Sequence, residues 1–255
     1  MTLAGDRRRV IVTGGGRGLG AAIVRALAGA GFDVLFTYRS ADAQAAALSK
    51  HLAIACPDQH FTASKLDLAD RQAVEAFVAT CEAGPPCCGF VHNAGQPYDS
   101  LAATMDQTKA EGVMQVNFWS FARIAGALVR SMTQARDGRI VVIGSVTALH
   151  ASQGSAAYSA SKAALLGYAR TLAIETARRG VTVNYVAPGF IDTDMMAPYA
   201  AHRAATESQI PAGRFAKPDD VAALVAFLLS PAAGYITGAV LPVDGGLSAA
   251  IGIHR

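Results

Sequence analysis

The sequence predicts a doubly wound α/β protein: one domain over residues 1–255, with a parallel sheet of about seven strands and helices on both faces. Three observations carry this. Short apolar runs alternate with longer helix-compatible stretches along the whole chain, and the first such run ends in a cluster of glycines. In addition, 52% of residues are hydrophobic and only 16% charged, which points to a compact, largely buried α/β or helical protein rather than a disordered one. Parallel strands need a long crossover, and a helix laid over the sheet is the economical one.

Residues 9–13 (RVIVT) read as the first strand and 19–30, ending before Gly31, as the first helix. Residues 33–37 (DVLFT) make a second strand and the alanine-rich 41–54 a second helix. A strand at 59–66, a helix at 71–82 and a strand at 88–92 (CGFVH) follow, the last closed by the turn Asn93-Ala94-Gly95. Residues 105–134 read as a long helical region, 139–143 (RIVVI) as a strand, 156–178 as a helix and 181–186 (VTVNYV) as a strand. The segment 188–214, rich in Pro, Met and small residues, has no clear period and is expected to be a mobile lid bearing Met195, Met196 and Tyr199. A helix at 218–229 and a strand at 239–242 complete the alternation. No linker, internal repeat or low-complexity tract marks a second domain.

The formal net charge is +3, and the one dense basic run, Arg7-Arg8-Arg9, reads as a solvated lead-in to the first strand, so no nucleic-acid partner is expected. The six histidines show no HExxH spacing and no i, i+4 pair, which argues against a metal. Cys56, Cys81, Cys87 and Cys88 lack CxxC spacing. Nothing resembles a signal peptide or a membrane span, so a cytoplasmic protein in a reducing compartment is expected.

Between the first strand and helix lies Thr13-Gly14-Gly15-Gly16-Arg17-Gly18-Leu19-Gly20. Glycines there permit a tight turn and let backbone N–H groups approach a pyrophosphate, as in a Rossmann fold. An NAD site places an acidic side chain on the ribose 2′-hydroxyl at the end of the second strand, but here the chain reads Tyr38-Arg39-Ser40. Arg39, with Arg17, can clamp a 2′-phosphate, so the expected cofactor is NADPH/NADP+.

Tyr158 and Lys162 stand four apart in a helix and share one face; Ser145 follows the strand RIVVI at the sheet edge where such folds build sites. With these residues the chain resembles a short-chain dehydrogenase/reductase from Arg9 through Gly246. The matching motifs are TGGGRGLG, Asp67-Leu68, HNAG at His92 to Gly95, Asn117, Ser145, YSASK at Tyr158 to Lys162, and PGFIDT at Pro188 to Thr193.

That resemblance implies catalytic roles for four residues. Ser145 donates a hydrogen bond to a ketone oxygen, Tyr158 delivers the proton, Lys162 lowers the phenol pKa toward neutrality and holds the nicotinamide ribose, and Asn117 anchors a water of the proton relay. It also implies a cofactor-binding set of Thr13, Gly14, Gly16, Arg17, Gly18, Leu19, Gly20, Arg39, Ser40, Asp67, Leu68, Asn93, Ala94, Gly95, Tyr158, Lys162, Pro188, Gly189, Ile191 and Thr193. His92 departs from the family, which usually has Asn there, and puts local packing in question.

The segments around Ser145, Tyr158 and Val181 most resemble the 3-oxoacyl-[acyl-carrier-protein] reductases. That implies NADPH-dependent reduction of a carrier-linked 3-oxoacyl thioester in fatty-acid or polyketide-type synthesis, with Arg136 and Arg179 docking the acidic carrier protein and a homotetramer, or a dimer, as the assembly. The alternatives are an NADP-dependent dehydrogenase of another small hydrophobic ketone or secondary alcohol, and a non-catalytic NADP-binding regulator.

Overall fold

The computed structural model describes residues 8–250, apart from the side chains of Pro198 and Tyr199. Among them the strands are β1 (Arg9–Thr13), β2 (Asp33–Tyr38), β3 (Phe61–Lys65), β4 (Gly89–His92), β5 (Gly138–Ile143), β6 (Val181–Pro188) and β7 (Val240–Val243). All are parallel, in the order β3-β2-β1-β4-β5-β6-β7. The chain leaves β1 toward one edge of the sheet and returns at β4 to build the other half. The strand order therefore reverses between β1 and β4, and a crevice opens beyond their carboxyl ends.

The helices are α1 (Gly18–Gly29), α2 (Asp42–Ala55), α3 (Arg71–Ala83), α4 (Gln107–Met114), α5 (Ser120–Ala135), α6 (Ala156–Thr176), α7 (Arg203–Glu207) and α8 (Pro218–Leu229). Alternate strand residues feed two cores. Val10 and Val12 of β1 pack with Ile23 and Leu27 of α1 and Val225 and Leu228 of α8. Ile11, between them, faces the other side with Phe77 of α3, Phe121 and Ile124 of α5 and Leu165 of α6. Burial on both faces is why the strands read as continuous apolar runs rather than alternating ones.

Helix starts are specified locally. Asp70 caps α3, its Oδ1 accepting from Gln72 N at 2.8 Å and Ala73 N at 3.2 Å. At α8, Pro218 takes the first turn and Asp220 accepts from Lys217 N at 2.8 Å.

Three stretches show more than their sequence reading. The long helical region expected over 105–134 is helical from Gln107 to Ala135, as α4 and α5 joined by a π-helical turn, Gln115–Trp119. The segment after β6, which shows no clear period in sequence, holds a 3₁₀ stretch, Asp194–His202, and then α7. There Arg203 pairs with Asp192 at 2.8 and 2.9 Å and with Glu207 at 2.9 Å, and lies 4.8 Å from the Phe215 ring centroid. The basic run is more than a solvated lead-in. Arg7 lies outside the described residues, but Arg8 pairs with Asp137 at 3.4 Å and lies over the Phe32 ring, and Arg9 donates to Pro85 O at 2.9 Å.

Candidate active site

The crevice between β1 and β4 begins as bare backbone. Gly14 and Gly18 have φ of 69° and 53°, and a Cβ on Gly20 would collide with the Gly14 carbonyl. The turn hands over to α1 without a capping side chain, and the first turn of α1 carries no acidic residue. Its N–H groups are thus available to an anion, which fits a pyrophosphate. Thr13, at the end of β1, ties this turn to β4: its Oγ1 accepts from Asn93 N at 3.1 Å and Ala94 N at 3.2 Å. Asn93 Nδ2 returns the link by donating to Thr13 O at 3.1 Å and Gly14 O at 3.0 Å.

Around this crevice the other expected contacts fall at strand ends. Arg17, Arg39 and Ser40 are exposed beside the glycine turn, and Asp67 is exposed after β3. The Leu68 side chain is buried in the core, and its carbonyl accepts from Gln115 Nε2 at 3.2 Å. Gly189 packs so closely on Asp244 that a Cβ would lie 2.9 Å from the Asp244 Cβ, and Ile191 forms a bridge to Ala216. Thr193 reaches back over the turn, its methyl 3.5 Å from where a Cβ on Gly18 would stand.

The four catalytic candidates converge on the same edge. Ser145 follows β5, and Tyr158 and Lys162 lie in the first two turns of α6. Lys162 is buried; its Nζ donates to Ile143 O at 2.9 Å and lies 5.7 Å from the Tyr158 ring centroid. A Cβ on Gly95 would come within 3.2 Å of that Nζ and 3.6 Å of Asn117 Oδ1, so the HNAG turn forms the floor beneath both. Asn117, fully buried in the π-helical turn, accepts from Gln96 N at 2.7 Å and donates to Gln96 O at 3.1 Å and Ser161 Oγ at 2.9 Å.

Burial dominates the electrostatics. It pushes the Lys162 ammonium down to about 8 and the Tyr158 phenol up to about 12. The expected shift of Tyr158 toward neutrality is therefore not found. Lys162 directs its proton at a carbonyl rather than at the phenol, and the group that does favour phenolate is the Ser145 hydroxyl, hydrogen-bonded to Tyr158.

Several residues that hold the site were not singled out from sequence as functional. Tyr185 of β6, 1% exposed, lies against Gly144, where any Cβ would collide with its ring. Its hydroxyl accepts from Ser145 N at 3.1 Å and donates to Lys162 O at 3.2 Å, so one phenol joins the end of β5 to α6. Ser161 bridges Tyr158 O and Asn117 Nδ2, and Thr147 contacts Ser145 Oγ. Ser161 stands inside YSASK, which was a usable signal; Thr147 and Tyr185 offered none. His92, where packing was in question, bonds Thr13 Oγ1 at 3.2 Å and Asn117 O at 3.0 Å between the rings of Phe90 and Phe121.

Arg136 and Arg179 come together, but away from this edge. Arg136 ends α5 in the left-handed conformation (φ 56°) and donates to Arg178 O at 3.0 Å; Arg179 lies in the short turn after α6. Both are exposed at the amino-terminal edge of the sheet, opposite Ser145. At 1.5 Å per helical residue, Arg179 stands about 30 Å along α6 from Tyr158.

The family model described as "Enoyl-(Acyl carrier protein) reductase" matches residues 14–248. The 3-oxoacyl-[acyl-carrier-protein] reductase FabG of Vibrio harveyi is 39% identical over 242 residues, 93% of this chain and 96% of that protein. MabA of Mycobacterium tuberculosis, of the same named activity, is 39% identical over 242 residues, covering 94% of this chain and 92% of that protein. Among solved structures, one described as an NAD(P)-dependent gluconate 5-dehydrogenase from Beutenbergia cavernae, with bound NADP, superposes with a TM-score of 0.90 at 35% identity, over 97% of this chain and 98% of that one. A glycine turn at the strand reversal, the Ser145, Tyr158 and Lys162 group beside it, and similarity over nearly the whole length lead to one assignment: the chain belongs to the short-chain dehydrogenase/reductase family of oxidoreductases.

Proposed function

We propose that the protein reduces the 3-oxo group of an acyl thioester presented on a carrier protein, with NADPH as reductant. The observation that carries the reductase chemistry is the convergence of Ser145, Tyr158 and Lys162 beside an uncapped, glycine-lined helix start. The substrate class rests on the 39% identity to FabG and MabA, whose names specify that activity. NADPH rests on Arg17 and Arg39 beside the glycine turn and on the NADP bound in the gluconate 5-dehydrogenase structure.

When bound, the reduced nicotinamide supplies hydride to the carbonyl carbon. As charge builds on the carbonyl oxygen, Ser145 donates a hydrogen bond to it and Tyr158 transfers its Oη proton. Held at about 12, the phenol stays protonated at neutral pH and is ready as the acid in the reductive direction. Lys162 stays largely charged at neutral pH, and its Nζ stands between Tyr158 and the Asn117 region, where a proton can be returned. The Asn117 carbonyl, engaged by His92, keeps a second lone pair for a water of that relay.

The likeness to a gluconate 5-dehydrogenase favours a second reading, an NADP-linked dehydrogenase of a polar secondary alcohol. One assay separates them: NADPH oxidation with acetoacetyl-carrier protein, acetoacetyl-N-acetylcysteamine and 5-ketogluconate, in wild type and Tyr158→Phe. The thioesters should turn over and the variant should lose activity by about a hundredfold or more. Turnover of the sugar acid alone would replace the substrate reading. Full activity in Tyr158→Phe would remove the mechanism.

A further inference from the structure

For Ser145 to stabilise a developing oxyanion, its hydroxyl must donate, yet a hydroxyl can rotate and accept just as well. The surroundings remove that choice. Thr147 Oγ1 donates to Ser145 Oγ at 2.9 Å, and Thr147 N donates to the same oxygen at 3.1 Å. A serine oxygen has two lone pairs and one proton. With both lone pairs engaged from one side, only the proton is left for the cleft side, where the Tyr158 phenol lies. The Ser145 main chain is already held, its N–H bonded to the Tyr185 hydroxyl at 3.1 Å. Hydroxyl direction is thus the freedom left for Thr147 to settle.

We propose that Thr147 is a positioning residue that orients the Ser145 hydroxyl as a dedicated hydrogen-bond donor toward the reacting carbonyl oxygen and Tyr158. The two bonds from Thr147 differ in what they require. Its N–H reaches Ser145 Oγ through the turn Val146–Ala148, whatever side chain follows. The second bond needs a hydroxyl at position 147, and a β-branched one is held stiffly at χ1. An O–H whose oxygen accepts two hydrogen bonds is also polarised into a stronger donor. A valine at 147 would keep the shape and the N–H but leave one Ser145 lone pair open, so that the proton could turn away from the cleft.

The inference rests on Ser145 facing the substrate carbonyl, so the test carries a control for that reading. Wild type, Thr147→Val, Thr147→Ser and Ser145→Ala are assayed with acetoacetyl-N-acetylcysteamine and with ethyl acetoacetate as a free β-keto ester; NADPH binding is measured separately by titration. Loss of one oriented hydrogen bond should lower kcat in Thr147→Val by about three- to tenfold, with KM for NADPH and its dissociation constant unchanged. Thr147→Ser should restore most of the rate. Thr147→Ala takes the valine's place should the latter fail to fold.

Wild-type kcat in the hydroxyl-less variant, or equal losses in the valine and serine variants, would overturn the role of Thr147. If Ser145→Ala is itself fully active, the reading of the site falls with it. An inactive Ser145→Ala beside a fully active Thr147→Val would sink the Thr147 inference alone.

Discussion

A histidine closed off from water keeps its hydrogen bonds as a neutral ring, and at His92 the partners decide the tautomer. Thr13 Oγ1 already accepts two backbone N–H groups, so its proton goes to His92 Nδ1, and Nε2–H donates to Asn117 O. Burial first, then the nearby Lys162 charge, lowers the His92 pKa from 6.5 to about 3. Between those values the unfolded chain binds a proton that the folded one excludes, so stability falls as pH drops, by at most about 1.4 kcal/mol per unit. Urea unfolding from pH 6.5 to 4 should show this loss, with a shallower slope in His92→Asn. Parallel slopes in the two proteins would mean that His92 is not the group responsible.

At the same scale, Arg39→Ala should reduce the kcat/KM preference for NADPH over NADH by about ten- to a hundredfold, the worth of charged hydrogen bonds to a phosphate. An unchanged ratio would assign the discrimination elsewhere. Ser145, Tyr158 and Lys162 were legible as candidates because they fall on the motifs that carry the family resemblance, at a strand end and at an i, i+4 spacing. Thr147 and Tyr185 were not, because a threonine in a loop and a tyrosine in a strand look ordinary until the fold sets their hydroxyls against Ser145.

Among the elements, strands and their helices were readable to within one or two residues, since burial on both faces leaves an apolar run and local caps mark the helix starts. The π-helical turn was not. Its extra residue leaves no trace in periodicity over so short a span, yet it puts the Asn117 carbonyl where His92 reaches it and the Asn117 side chain against Gln96 and Ser161. The stretch after β6 shows no clear period in sequence for a related reason: 3₁₀ geometry has no period of 3.6, and Arg203 ties the segment together by pairing with residues on both sides. The contact of α8 with α1 offers a test of packing. Leu228, fully buried, should on Leu228→Ala cost about 2–5 kcal/mol in chemical denaturation. A loss under 1 kcal/mol would mean that this core relaxes around the cavity far more than such sites usually do.

For the whole molecule, the sheet has two edges with different assignments. Its carboxyl edge holds the crevice; its amino edge presents Arg136 and Arg179 at the far end of α6. Under the proposed substrate reading, a carrier protein docked on those arginines would stand about 30 Å along the helix from Tyr158. Charge reversal of both, Arg136→Glu with Arg179→Glu, should raise KM for acetoacetyl-carrier protein by about tenfold or more and leave acetoacetyl-N-acetylcysteamine unaffected. Added salt should weaken the wild type in the same way. Equal KM values for the carrier-linked substrate would detach these arginines from docking.

Sequence alone determined which segments are strands and helices and where the glycine turn lies. Each of those rests on neighbours within a few positions, where periodicity, capping and spacing act. Only the tertiary structure decided that the Tyr158 phenol is held high rather than near neutrality, that Lys162 points to Ile143, that His92 is a neutral strut, and that the paired arginines stand across the sheet from the site. Those depend on desolvation and on hydrogen bonds between residues up to 79 positions apart, such as Thr13 with His92.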